Sequence, residues 1–128
     1  MAIDILSLEP TTISNNLKGK YMLVYGAPKV GKTTLLSQFP KSLILAFEPG
    51  TNALTNVLVQ PIQRWADFKT VIKQLKNPKA QEMYDFIGID TADVAYEFCE
   101  KYICSQASDA ANTYTNIGDI PYGKFFAA

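Results

Sequence analysis

Apolar residues gather in three short unbroken runs and two longer periodic stretches. Tyr21-Met22-Leu23-Val24-Tyr25 is continuous and ends in glycine. Leu43 to Phe47 (LILAF) leads into Glu48-Pro49-Gly50, and Phe86-Ile87-Gly88-Ile89 leads into Asp90-Thr91. Unbroken runs of this length suit strands buried on both faces, as in a parallel sheet. Trp65, Phe68, Val71, Ile72 and Leu75 recur at helical spacing with lysines between them, which predicts an amphipathic helix over about residues 65 to 76. Val94, Phe98 and Tyr102 form a second stripe and predict a helix over 92 to 106. TTLLSQ at 33 to 38 has helix formers that stop before Phe39-Pro40, which predicts a short helix.

Strand and helix thus alternate three times, which implies an α/β fold with a mostly parallel sheet and right-handed crossovers. Residues 1–19 are expected as a lead-in with a short strand at Ile3 to Leu6, and residues 108–128 as an irregular tail. The whole, 1–128, is expected as one domain, with no internal repeat.

The polar residues between the first strand and the first helix carry the chemistry. Gly26, Ala27, Pro28, Lys29, Val30, Gly31, Lys32 and Thr33 fit G-x-x-x-x-G-K-[ST] at each fixed position, and Thr34 extends the stretch. A loop that wraps a polyphosphate turns its backbone N–H groups inward, and glycine permits the necessary dihedrals. The helix that follows adds free N–H groups. Lys32 then serves the β- and γ-phosphates as a point charge, and the Thr33 hydroxyl is a candidate Mg²⁺ ligand. A chance match is the bland alternative, against which the flanking strand and helix speak.

Two acids at strand ends extend the site. Asp90 is the second candidate metal ligand, directly or through the water shell; turn chemistry is its ordinary alternative. Glu48 is the candidate that orients and polarises the attacking water, against a turn glutamate before Pro-Gly. Because carboxyl ends of parallel strands open onto one crevice, both acids are expected to face Lys32. Asp93 reads as a cap of the next helix.

Composition narrows the function classes. The 128 residues are 48% apolar, 12% aromatic and 19% charged, in the range of a folded domain. Twelve cations balance twelve acids, so no large basic surface is implied, and the absence of histidine excludes histidine-based triads, bases and zinc sites. Arg64 is the only arginine and so the single candidate for an arginine finger acting in trans. Cys99 and Cys104 lack metal-ligand spacing and read as reduced thiols. No run is long and apolar enough for a bilayer and MAIDILSLEP lacks a signal pattern, so a cytoplasmic protein is expected.

Glu48 after the strand that follows the phosphate-loop helix, with Asp90 on a later strand, resembles the RecA-like branch of P-loop ATPases. The AAA+ arrangement, with glutamate beside the metal-binding aspartate, fits less well, since Thr91 stands there. "YGAPKVGKTTL", "FEPGTNAL", "QPIQRWADFK", "YDFIGIDTAD", "CEKYIC" and "IGDIPYGK" together resemble phage-encoded nucleotide-binding proteins with an AAA domain. The resemblance implies a P-loop NTPase of RecA-like three-layer α/β/α form, encoded by phage or prophage and acting in the bacterial host. It implies ATP and Mg²⁺ as ligands, slow hydrolysis, a role in DNA recombination or replication, and a homo-oligomer. The implied partners are single-stranded DNA, or a single-strand-binding or replication protein. A nucleotide-binding but hydrolysis-deficient fragment or regulatory subunit, and a helicase-loader-type ATPase, are the alternatives. A small-molecule kinase fits poorly with one arginine. Tyr114, Tyr122 and Phe125 are candidates for stacking on bases, although packing is the commoner use of such residues.

The family layout also places a later strand between strands 20–25 and 85–90. The chain is therefore expected to be truncated after the strand that ends in Asp90 and its helix. Either those two strands pair directly, or another segment or chain fills the gap, or the fold is marginal.

Overall fold

A computed structural model describes residues 3–13, 15–49 and 54–121. Its elements in chain order are α1 (Lys32–Gln38), β1 (Ser42–Ala46), β2 (Leu58–Pro61), α2 (Trp65–Leu75), α3 (Pro78–Met83), β3 (Phe86–Asp90) and α4 (Ala92–Ala107). The strands form one parallel sheet in the order β2-β1-β3. Leu43 to Ala46 align with Leu58 to Pro61 on one side, and Ser42 to Ala46 with Phe86 to Asp90 on the other.

Alternation along β1 sends side chains to two helical layers. Leu43, Leu45 and Phe47 are buried with Ile62 and Ala95, under Trp65, Phe68, Val71 and Leu75 of α2 and Val94 and Phe98 of α4. The Phe47 ring lies 5.6 Å from Phe68 and 5.4 Å from Phe98, centroid to centroid. Ile44, fully buried, aligns with Gly88 on the opposite face. There α1 comes so close that a Cβ on residue 88 would meet Leu36 at 3.1 Å. The result is the three-layer α/β/α arrangement, with α1 on one face and α2 and α4 on the other.

Observed boundaries lie within a residue of those expected for α1, β1, α2 and α4. Two elements were not anticipated. β2 has four residues, three of them exposed, and becomes a strand only through its pairing with β1. α3 starts where Asn77 accepts the Lys79 N–H at 3.0 Å with Pro78 in the first turn, a start signal present in the sequence.

Two expectations are corrected. Residues 3–6 are no strand: Asp4 Oδ1 accepts the Leu6 N–H at 2.9 Å and sets a 3-10 turn at Ile5–Ser7. Residues 21–25 are not a strand either, and Tyr21, Leu23 and Tyr25 are exposed. A ladder needs a neighbour, and among the described residues none lies along the outer edge of β3 or beside 21–25. The direct pairing of these two segments, one of the three outcomes foreseen, is therefore not the one adopted.

The tail is irregular yet anchored. A 3-10 turn at Ile117–Asp119 brings Ile120 into a small cluster with Cys104 and Ala107, flanked by Ile103, Tyr114 and Ile117. Tyr114 thus packs, while Tyr122 and Phe125 lie outside the described residues. Cys99 and Cys104 are free thiols, and burial pushes the Cys104 thiol up, with Glu100 and Asp119 adding to the shift.

Candidate phosphate and cation site

The site begins with backbone geometry. Gly31 has φ 103° and ψ 20°, a left-handed conformation that turns the chain into α1. A side chain there meets no atom within 4 Å, so the demand for glycine is one of dihedral angle rather than space. The first helical bond follows at once, from Leu35 N–H to Gly31 O at 2.9 Å.

Lys32 then closes the loop from its far end. Its ammonium donates to Gly26 O at 2.7 Å and to Ala27 O at 2.8 Å. An ammonium carries three N–H donors. Two hold the loop in a ring, which leaves the third for an anion in front of it. Pro28, Lys29 and Val30, between these anchors, are exposed to solvent, and Lys29 adopts φ 63°.

Thr33, one residue into α1, reaches across the fold. Its hydroxyl donates to Asp90 Oδ2 at 2.8 Å, in a half-buried position 57 residues away along the chain. Asp90 ends β3, and its carbonyl accepts the Phe47 N–H at 2.8 Å, which fastens the tips of β1 and β3 together. With its proton committed to Asp90, the Thr33 oxygen keeps its lone pairs for a cation. Hard oxygen donors of this kind suit Mg²⁺. No group of three or more His, Cys, Asp or Glu able to hold a metal occurs among the described residues. An ion at Thr33 and Asp90 would therefore complete its shell with water and phosphate oxygens, the usual habit of Mg²⁺.

Glu48 stands at the neighbouring strand tip, two residues beyond Ala46, the register partner of Asp90. Phe47 is buried on the α2 and α4 side. Glu48 lies past the end of β1 and is exposed. Thr34, also exposed, has its carbonyl taken by Ser37 Oγ at 2.6 Å within α1. The structure thus joins Lys32 to the loop and Thr33 to Asp90, and leaves Glu48 exposed two residues past the end of β1. Arg64, at the start of α2, is engaged with Asp67, its guanidinium 3.3 Å from the carboxylate.

One residue beside the site escaped the sequence reading. Thr91 follows Asp90 across a cis peptide bond and occupies the N-cap of α4, yet its side chain makes no capping bond. Asp93 Oδ1 takes the Val94 N–H at 3.0 Å instead. The Thr91 Oγ1 atom is buried without a partner in hydrogen-bond geometry. Its hydroxyl nevertheless lies near enough to Asp93 to be the main influence holding that carboxyl below its ordinary range, ahead of the Val94 N–H. The available signal was a hydroxyl residue directly after a strand-ending aspartate.

The arrangement can hold a polyphosphate with a divalent cation. Two hollows lie elsewhere: one of about 320 Å³ between α2, α3 and the β1–β2 pair, lined by Leu43, Val71, Leu75 and Met83, and one of about 490 Å³ beside Cys104 and Tyr114. Neither includes the loop.

No solved structure matches the chain. Over 108 residues, 83% of this chain, the sequence is 43% identical to the SPbeta prophage-derived uncharacterized protein YorG of Bacillus subtilis (strain 168). The chain spans about a third (33%) of that relative's length. Among the described residues no helix is long and apolar enough to cross a membrane. A family model described as an AAA domain matches residues 18–125, which include the loop, both acids and all seven elements. The chain therefore belongs to the AAA-domain family, a nucleotide-binding family of ATPase type, and is similar to a prophage-derived member.

Proposed function

We propose that the chain binds ATP as its Mg²⁺ complex, with the phosphates in the loop of residues 26–34. The carrying observation is the 2.8 Å bond between Thr33 and Asp90. It ties the loop to the tip of a distant strand through two oxygens of the type that Mg²⁺ takes. Lys32 offers its remaining N–H to the β- and γ-phosphates, and the loop amides supply further donors. Bound Mg²⁺ would neutralise charge that develops on the phosphate oxygens. Glu48 is the residue proposed to orient the attacking water and accept its proton, as the bond to the β–γ bridging oxygen breaks to give ADP and phosphate.

At the level of the whole protein, the reading is an ATPase that supports phage DNA recombination or replication. Single-stranded DNA, or a single-strand-binding or replication protein, is the proposed partner, and a homo-oligomer is the proposed acting form. Family membership and the prophage-derived relative support this reading. The balanced charge of this chain adds no support of its own for DNA contact.

A second reading is binding without turnover. The unpaired lead-in favours it: residues 21–25 enter the loop without a strand beside them, so the sheet fixes only the acidic side. Calorimetry with Mg²⁺-ATP, an EDTA control and a phosphate-release assay separates the two. The parent is expected to bind with Mg²⁺ present. Lys32→Ala is expected to weaken binding by about 1.5–3 kcal/mol, the range for charged hydrogen bonds. Glu48→Gln should bind like the parent and release no phosphate. No binding heat in the parent would end the nucleotide reading, and unchanged release from Glu48→Gln would remove Glu48 from its role. Binding with no release by the parent selects the second reading.

A further inference from the structure

We infer that the hollow between α2, α3 and the β1–β2 pair takes one base of single-stranded DNA, with Lys79 serving the adjoining phosphate. This gives the DNA partner of the reading above a place on the molecule. It rests on that partner and not on the Mg²⁺-ATP site, since the hollow lies on the face of the sheet opposite α1.

Charge balance over the whole chain hides an uneven distribution. Residues 68–81 hold four of the twelve cations, Lys69, Lys73, Lys76 and Lys79, and no acid. Lys69 is engaged with Tyr102, its ammonium 3.0 Å from the hydroxyl and 4.8 Å from the ring centre. Lys73, Lys76 and Lys79 are exposed, and none forms an ion pair among the described residues. Of the next acids along the chain, Asp85 is paired with Lys41 at 3.9 Å, which leaves Glu82 as the one acid on this stretch against three exposed lysines. Lys73, in the last turn of α2, suits the negative end of that helix. Lys79 has no such reason. It stands in the first turn of α3, which holds no acid and where a cation is disfavoured, and it lines the hollow.

The hollow itself has about 320 Å³, at the small end of ligand-sized cavities. Leu43, Val71 and Leu75 give it an apolar wall, Tyr84 adds an aromatic ring, and Met83, 56% exposed, adds a polarizable side chain. Three carboxamides share the lining. Gln60 Nε2 donates to Pro61 O at 2.9 Å, which leaves its oxygen as an acceptor. Asn77 Oδ1 accepts the Lys79 N–H at 3.0 Å, which leaves its amino group as a donor. The Gln74 side chain has no hydrogen-bond partner among the described residues. An apolar slot with a ring and unspent amide groups matches a base, which has a flat face to stack and an edge that both donates and accepts. An acidic peptide would engage the lysines and leave the ring and the carboxamides unused. A duplex keeps its bases stacked and paired, so a single strand is the form that can offer one to a concave site.

The test follows a labelled mixed-sequence oligodeoxynucleotide by fluorescence anisotropy with the full 128-residue chain. EDTA is present and nucleotide absent, so the Mg²⁺-ATP site plays no part. The single strand is expected to bind roughly tenfold more tightly than its duplex. Lys79→Gln should weaken binding about fivefold and flatten the salt dependence by about 0.7 in logarithmic slope, the loss of one phosphate contact on a single strand. Tyr84→Leu, which keeps apolar bulk and removes the ring, should weaken binding roughly tenfold with the salt slope unchanged. Gln74→Ala should cost about threefold. Lys101→Gln, beside the other hollow, should bind like the parent.

A parent that binds no single strand, or binds duplex as tightly, overturns the inference. So does Lys79→Gln with the parent's affinity and salt slope. A greater loss in Lys101→Gln than in Lys79→Gln overturns it by moving the contact to the hollow beside Cys104. Stronger competition from polyglutamate than from unlabelled single strand overturns it in favour of an acidic peptide. If Tyr84→Leu does not fold, Lys79→Gln and Gln74→Ala, both at exposed positions, decide the matter. Mg²⁺-ATP binding is read by the calorimetry above, so either reading can fail alone.

Discussion

The two walls of the candidate site are built differently. On the acidic wall, Asp90 ends β3 and Glu48 lies two residues past β1; the two strands are paired in register and joined at their tips by the Phe47–Asp90 bond. Leu45 beneath it is 0% exposed. The cationic wall, residues 26–32, follows a segment with no ladder, in which Leu23 is 79% exposed. That wall keeps its shape through local means, a left-handed Gly31 and the two bonds from Lys32 to Gly26 and Ala27, while one long-range bond from Thr33 to Asp90 ties it to the sheet. One wall is thus held by tertiary burial and the other by short-range hydrogen bonds. Burial scales with apolar area removed from water, whereas exposed hydrogen bonds compete with water and contribute less. The cationic wall is expected to be the one that moves.

The sharpest test sets two leucines against each other. Leu45→Ala should lower unfolding free energy by about 2–5 kcal/mol, whereas Leu23→Ala should stay within about 0.5 kcal/mol. Urea denaturation measures both. An equal loss for Leu23→Ala would place that leucine in a core in solution and abolish the contrast between the walls.

A smaller effect separates local from global coupling. Gly31→Ala forces a Cβ into a left-handed conformation, at about 1–2 kcal/mol. If the loop is held locally, the cost appears as weaker Mg²⁺-ATP binding, with a lesser change in the urea midpoint. A midpoint shift that absorbs the whole cost would mean that loop and sheet fold as one unit.

The smallest effect is acidic and belongs to the sheet side. The Asp93 carboxyl is held below its ordinary range by the Thr91 hydroxyl and the Val94 N–H, so its contribution is present above the unfolded value and lost as pH falls through the lowered folded value. The stability difference between the parent and Asp93→Ala should therefore shrink on acidification into and below the carboxylate range. Because Asp93 is exposed, solvent screening keeps the difference small. A difference that grows on acidification would contradict the direction of the shift.

Legibility followed the range of the forces. The loop from Gly26 to Thr34 was readable because each fixed residue answers a local backbone or charge requirement. β1, β3, α2 and α4 were readable because buried runs and helical stripes are periodic in the chain itself. β2 was not, since Leu58–Pro61 is short, mostly exposed and ends in proline, and only its neighbour makes it a strand. Residues 21–25 misled in the opposite direction: an apolar run meets the composition of a strand without the partner that completes one.

The chain by itself therefore determined an α/β pattern, a glycine-rich cationic loop and two acids that end apolar runs. These follow from dihedral preference, charge and periodicity within a few residues. Tertiary structure alone decided that Thr33 and Asp90, 57 residues apart, share a 2.8 Å bond, that β2 joins the sheet, and that 21–25 stays unpaired. Each of these outcomes depends on which distant backbone comes to lie alongside, and hydrogen bonds between strands form only once burial has brought the strands together.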